Sequence, residues 1–153
     1  MRRSEYFSLL YHRKRSQASF PVQISCATVA AAHMQSLLVD DKGRISEVDI
    51  TRGELIKAFD IHLRDLRPVV SMKQVITFFR RGKGIILNFR SVKILVSKNH
   101  VYVFNIENKN ITEKFVPLLG EKIAARSKDF PFEFAVLEQS FAYMNESIHE
   151  KIV

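Results

Sequence analysis

Apolar positions fall into short, dense runs through the middle of the chain and into steps of three and four near its end. Residues 34 to 39, MQSLLV, predict a strand, DDKG (40 to 43) a turn, and RISEVDI (44 to 50) a second strand carrying Ile45, Val48 and Ile50, so the pair predicts a β-hairpin. Thr51 lies three residues before Glu54, the spacing of a reciprocal cap, and predicts a helix from Arg52 to about Phe59 with Leu55, Ile56 and Phe59 on its buried face. That helix must stop before Pro68, since proline disfavours the α conformation in its predecessor. Four β-branched and aromatic runs follow: QVITFFRR (74 to 81), GIILNF (84 to 89), VKILVS (92 to 97) and HVYVFNI (100 to 106), separated by GKG and SKN turn signals. The unbroken apolarity of GIILNF predicts a strand covered on both faces. Residues 110 to 127 predict a helix capped by Thr112 and weakened inside by Pro117 and Gly120, and a last helix is expected from Pro131 onward. The order of hairpin, helix, strands and two helices predicts an α+β domain with one mixed or antiparallel sheet flanked by helices, ending in a long stalk-like helix.

Composition narrows this picture. The chain has 153 residues, the size of one domain, with 46% hydrophobic and 26% charged residues, as in a globular protein with a substantial core. Cys26 is the single cysteine, so no disulfide framework and no thiolate zinc site is expected. No apolar run approaches the roughly 20 residues that cross a bilayer, so the sequence predicts no membrane pore of its own. The net charge of +8 is uneven. Residues 1 to 33 carry Arg2, Arg3, Arg13, Lys14 and Arg15 against Glu5 and are rich in serine and alanine, which fits a mitochondrial targeting segment or a basic tail, and residues 34 to 153 are expected to form the domain.

Catalytic chemistry finds little purchase. His12, His33, His62, His100 and His149 are scattered without metal-ligand spacing, no nucleotide loop or nucleophile elbow occurs, and no enzymatic activity is expected. RRGKG (80 to 84) reads as a charged hairpin turn in preference to a phosphate loop, because no helix start follows it. Arg80, Arg81, Lys83, Arg90, Lys93 and Lys98 in or beside the strands, with the cations of the arm, are candidate contacts to phosphate or RNA; a solvated basic face is the plainer alternative. Within this set, Arg2, Arg3, Arg13, Lys14, Arg15, Arg80, Arg81 and Lys83 are the positions singled out.

Four segments in order carry a resemblance. SEVDITRGELIKAF (46 to 59), LRDLRPV (63 to 69), GIILNFRSVKILVSKNHVYVFN (84 to 105) and FPFEFAVLEQSF (130 to 141) resemble segments of the eukaryotic mitochondrial magnesium channels, a branch of the CorA superfamily. The likeness runs over roughly residues 34 to 148 and implies that family's matrix-facing N-terminal domain, a mixed sheet flanked by helices that leads into a stalk helix. It implies that VKILVS forms a helical turn followed by a strand, that Pro131 opens the stalk, that Phe132 and Phe134 seat it on the sheet, and that Glu133 and Glu138 face polar neighbours. It also implies that conduction does not carry over, since the membrane part with its Gly-Met-Asn motif has no counterpart in these residues; YMN (143 to 145) is read as coincidence.

Phe134, Leu137, Phe141, Met144, Ile148 and Ile152 recur at spacings of three and four, an apolar stripe suited to a partner helix. With the resemblance, the stripe and the basic arm point first to a non-catalytic, non-conducting structural subunit of a larger mitochondrial assembly, such as a ribosome or a respiratory or ATP-synthase complex, on the matrix side of the inner membrane. Its expected partners are other protein subunits, with ribosomal RNA contact or a homo-oligomer as further options. The alternatives are a regulatory matrix domain of a magnesium channel and a basic RNA-contacting module. No cofactor is expected, and no localised site supports bound magnesium.

Overall fold

A computed structural model describes residues 32–71 and 76–152. The arm cations Arg2, Arg3, Arg13, Lys14 and Arg15 lie outside the described residues. Among those residues six strands form one sheet, β1 (His33–Asp40), β2 (Ile45–Thr51), β3 (Thr77–Arg81), β4 (Gly84–Phe89), β5 (Val92–Val96) and β6 (His100–Phe104), in the order β2-β1-β6-β5-β4-β3. Every neighbouring pair is antiparallel, which resolves the choice between a mixed and an antiparallel sheet. The helices are α1 (Arg52–Phe59), α2 (Arg67–Val70), α3 (Val116–Ala125) and α4 (Phe132–Ile152), with a 3-10 turn at Leu63–Leu66 before α2 and a π turn at Ile111–Phe115 before α3. The architecture is α+β.

The sheet is covered on both faces, as GIILNF predicted. Leu87, Val92, Ile94, Val96, Val101 and Val103 face one layer with Ile111, Phe115, Leu119, Ile123, Phe132 and Val136 from α3, α4 and the π turn. On the opposite face Ile86, Leu95, Tyr102 and Phe104 pack with Leu55, Phe59, Leu63, Leu66 and Val69 from α1, the 3-10 turn and α2. Alternation within each strand sends successive side chains to opposite layers, so strands between two helix layers need apolar residues at every position.

This corrects one expectation. The helical turn that the resemblance implied at VKILVS is absent: VKILV is strand throughout, β5, flanked by β4 and β6 and buried along its length. Lys93 is buried with it and does not belong to a solvated basic face. Its Nζ donates to the Ser71 carbonyl just past α2, and its cross-strand partner Asn88 donates from Nδ2 to the Pro68 carbonyl. Two buried polar side chains thus tie the α2 segment to the sheet, the arrangement that buried hydrogen-bonding groups require.

The helix starts follow local chemistry. The Thr51–Glu54 box is present in both directions, with Glu54 N–H donating to Thr51 Oγ1 at 3.1 Å and Thr51 N–H to Glu54 Oε2 at 2.7 Å. In the LRDL turn the Asp65 carboxylate accepts from the His62 N–H at 2.9 Å and stands 3.6 Å from Arg81 Nε, so this turn is fastened to the end of β3. Thr112 is not the cap of the next helix, a second correction. Its hydroxyl donates to the Ile106 carbonyl at 2.7 Å, while Asn108 Oδ1 accepts from the Asn110 N–H at 3.0 Å and takes the capping role. The π turn ends where Pro117 enters the first turn of α3, the part of a helix that tolerates a missing N–H. Gly120 lets α3 approach the β1–β2 turn: a Cβ there would lie 2.9 Å from the Gly43 carbonyl oxygen.

The β3–β4 turn is held in a similar way. Lys83 N–H donates to the Phe59 carbonyl at 2.7 Å, at the C-terminal end of α1. Gly82 adopts φ +56°, and a Cβ on it would stand 2.1 Å from the Asp60 carbonyl oxygen. Gly82→Ala therefore combines a left-handed backbone with a backbone clash and should lower stability by more than about 1–2 kcal/mol, read as a lower denaturant midpoint at unchanged slope. A second expectation concerns pH. Hydrogen bonds from the Thr51 backbone, then from its hydroxyl, hold the Glu54 carboxyl below the usual glutamate range. A depressed folded-state value gives stability that is present above the unfolded value and lost as pH falls through the folded one. Acid titration of melting temperature should accordingly fall more steeply over that window in the native chain than in Glu54→Gln.

Candidate interaction surface on the C-terminal helix

Helix α4 is apolar on two opposite sides. Phe132, Ala135, Val136, Tyr143 and Met144 are buried, with Gln139 and Ser140 among them; Ser140 donates back to the Val136 carbonyl at 2.7 Å. Phe115 and Tyr143 meet at 5.2 Å between ring centroids, which joins α4 to the start of α3. On the far side Phe134 is 54% exposed, Phe141 45% and Ile152 76%. Leu137 and Ile148 are half-buried.

The predicted stripe is therefore divided. Met144 belongs to the core, Leu137 and Ile148 lie at the margin, and Phe134, Phe141 and Ile152 face outward. Phe132 seats the helix on the sheet; Phe134 does not, a correction to the pairing that the resemblance implied. At about 100° per residue, two positions along the helix turn the side chain away by about 160°, so the two rings of PFEF cannot serve one face. Glu133 is half-buried and Glu138 exposed.

The outward rings have company. Phe141 meets Phe78 of β3 edge to face at 6.1 Å, and Phe134 meets Phe130 at 6.4 Å. Phe78 is itself 54% exposed. Arg126 braces the connection between α3 and α4: its guanidinium lies 5.8 Å from the Phe132 ring centroid and donates to the Phe130 carbonyl at 2.9 Å. Nothing in the sequence pattern marks Arg126, Asp65, Asn88 or Lys93 for these tasks. Each partner lies far along the chain or in a loop, beyond the reach of periodicity.

Arg80, Arg81 and Lys83 are exposed around the β3–β4 hairpin. Arg81 is engaged with Asp65 and lies over the Phe79 ring at 5.7 Å. Beside the C-terminal half of α4 runs a groove of about 610 Å³ bounded by the β4–β5 turn and the π turn. Glu113, Glu121, Glu146 and Glu150 line it together with Lys114 and Lys151. Among the described residues no group of three or more His, Cys, Asp or Glu is placed to hold a metal ion, and no helix is long and apolar enough to cross a membrane.

The family model described as "Magnesium transporter MRS2-like" matches residues 35–152, from within β1 to the end of α4. The chain belongs to this family. It is similar to the protein named "Magnesium transporter MRS2-A, chloroplastic" of Oryza sativa, in both subspecies indica and japonica, at 23% identity over 122 residues. That alignment covers 75% of this chain and 26% of each relative, so the chain spans about a quarter of the length of the relatives it matches. The MRS2-like match includes the LRDLRPV and PFEF segments, whose roles in this structure are to fasten the turn before α2 to β3 and to start α4.

The two phenylalanines of PFEF allow a paired test. Phe132→Ala removes a ring that is 4% exposed and should cost about 3–5 kcal/mol, whereas Phe134→Ala should change stability by less than about 1 kcal/mol. Denaturant unfolding of the two variants checks this, and equal losses would place both rings in the core.

Proposed function

We propose that this chain serves organellar magnesium transport as a non-catalytic, non-conducting domain that assembles with other protein chains through the outward face of α4. One observation carries the reading: a 21-residue helix keeps Phe134, Phe141 and Ile152 outside after its opposite side has filled the core. A helix with apolar residues on both sides is suited to lie between two bodies, and a patch that includes Phe78 and Phe130 is of the kind that marks protein contact surfaces. Family membership and the magnesium transporter relatives favour a channel subunit as the partner, and the chloroplastic relative favours an organelle. The partner helix would insert between Phe134 and Phe141, two turns apart, as knobs do in helix pairs.

A structural subunit of a larger mitochondrial assembly, a ribosome or a respiratory or ATP-synthase complex, is the second reading. Its support is the net charge of +8 and the exposed cations of the β3–β4 hairpin, which would add contact to ribosomal RNA. The two readings differ in what holds the chain.

Native-size separation of organelle extracts distinguishes them. The chain should migrate with a magnesium channel, and Phe134→Asp with Phe141→Asp should release it as a small species while its folding stability changes by less than about 1 kcal/mol. Migration with ribosomal or respiratory particles would replace the first reading by the second. Retention of the double variant in the same complex would remove α4 as the contact.

A further inference from the structure

The groove beside the C-terminal half of α4 has the chemistry to receive a cationic segment. Phe89, Pro117, Leu118, Met144 and Ile148 supply its apolar lining. Glu113 and Glu121 stand on the side of the π turn and α3, Glu146 and Glu150 on the side of α4, and all four are exposed. Arg90, Lys114 and Lys151 line it too, yet among the described residues no ion pair engages any of these charges. The carboxylates are not grouped to hold a metal ion, so they suit cations carried at intervals along a chain. Tyr143 adds a polar group. It is 9% exposed, packs its ring on Phe115 at 5.2 Å and lines the groove, and its hydroxyl has no hydrogen-bond partner among the described residues.

Topology brings such a segment to the groove. Leu37 pairs with Val103, Phe104 with Lys93 and Val92 with Phe89, so the start of β1, the end of β6 and the β4–β5 turn share one end of the sheet. Phe89, Arg90, Asn108 and Asn110 set the groove at that same end. Residues 1 to 31 join the body there, ahead of His33. From β1 to the β4–β5 turn is two to three strand spacings, roughly 10–15 Å, and ten residues of chain can span roughly 30 Å. Within residues 1 to 31, Arg2, Arg3, Arg13, Lys14 and Arg15 stand against Glu5 and flank the apolar residues Tyr6, Phe7, Leu9 and Leu10. Cations at both ends of an apolar run complement an apolar lining between carboxylates. Linkage within one chain raises the effective concentration to roughly millimolar, so modest charge pairing suffices to hold the segment.

We propose that residues 1 to 20 dock in this groove of their own chain. Their cations face Glu113, Glu121, Glu146 and Glu150, and the run from Tyr6 to Leu10 lies over Met144 and Ile148. The docked segment is an autoinhibitory cover: it withholds the groove from other chains and its own cations from anionic partners. This contact uses the C-terminal half of α4 and is independent of Phe134 and Phe141.

Paramagnetic broadening in the full 153-residue chain tests it. A nitroxide on Ser8→Cys, with Cys26→Ser leaving a single thiol, should broaden the amide signals of residues 113 to 114 and 146 to 151. Gly82, at the opposite end of the sheet, should stay sharp. High salt should weaken the effect. Glu146→Lys with Glu150→Lys should remove most of the broadening, and so should Arg13→Glu, Lys14→Glu and Arg15→Glu together; all five changes in one chain should restore it. Sharp groove signals in the nitroxide-bearing chain overturn the proposal. So does broadening that both sets of reversals leave intact, which would place the segment elsewhere on the body. Broadening of an isotope-labelled chain by the nitroxide on a second, unlabelled chain would assign the groove to another copy's segment and overturn docking within one chain.

Discussion

A sheet whose central strands are apolar on both faces cannot exist without two helical layers, and the rest of the fold follows from that demand. Ile86 and Leu87, Ile94 and Leu95, Tyr102 and Val103 are neighbours in sequence that point to opposite layers, and all are buried. Burying such a side chain contributes about 1.5–3 kcal/mol relative to leaving it in water, so neither layer can be removed without exposing three strands at once. The polar exceptions serve the same constraint. Lys93 and Asn88, side by side on β5 and β4, reach the carbonyls of α2 and Ser71 and pin the thinner layer in place. Asp65 does likewise for the turn before α2, through the His62 N–H and Arg81.

With the sheet satisfied, what remains uncovered acquires meaning. One side of α4 completes the core and the other carries Phe134, Phe141 and Ile152 outward, with Phe78 of β3 against Phe141. The strands at the two ends of the sheet carry opposite charge on one face, Glu47 and Asp49 on β2 and Arg80 on β3.

Local chemistry was legible along much of the chain. The hairpin over residues 34 to 50, the Thr51–Glu54 box, the extent of α1 and the strand GIILNF all follow from rules that act within a few residues: turn propensity, capping geometry and side-chain alternation. The PFEF segment was legible as the start of a helix. Its two rings were not legible as a pair, because which of two opposite faces meets the sheet depends on how α4 is rotated, and the Phe115–Tyr143 and Phe132–Arg126 contacts decide that rotation.

By itself the sequence determined the α+β class, the order of the strands and longer helices, the Thr51–Glu54 cap, and the likeness to a magnesium transporter family, since each is carried by spacing or by short segments. Only the tertiary structure decided that VKILV lies inside the sheet, that Lys93 is buried, that Asn108 and not Thr112 caps the approach to α3, and which aromatic rings of α4 face outward. The physical reason is common to all four: each depends on a contact between residues brought together by folding or by a loop's path, and the free energy of such a contact leaves no periodic mark on either partner's own stretch of chain.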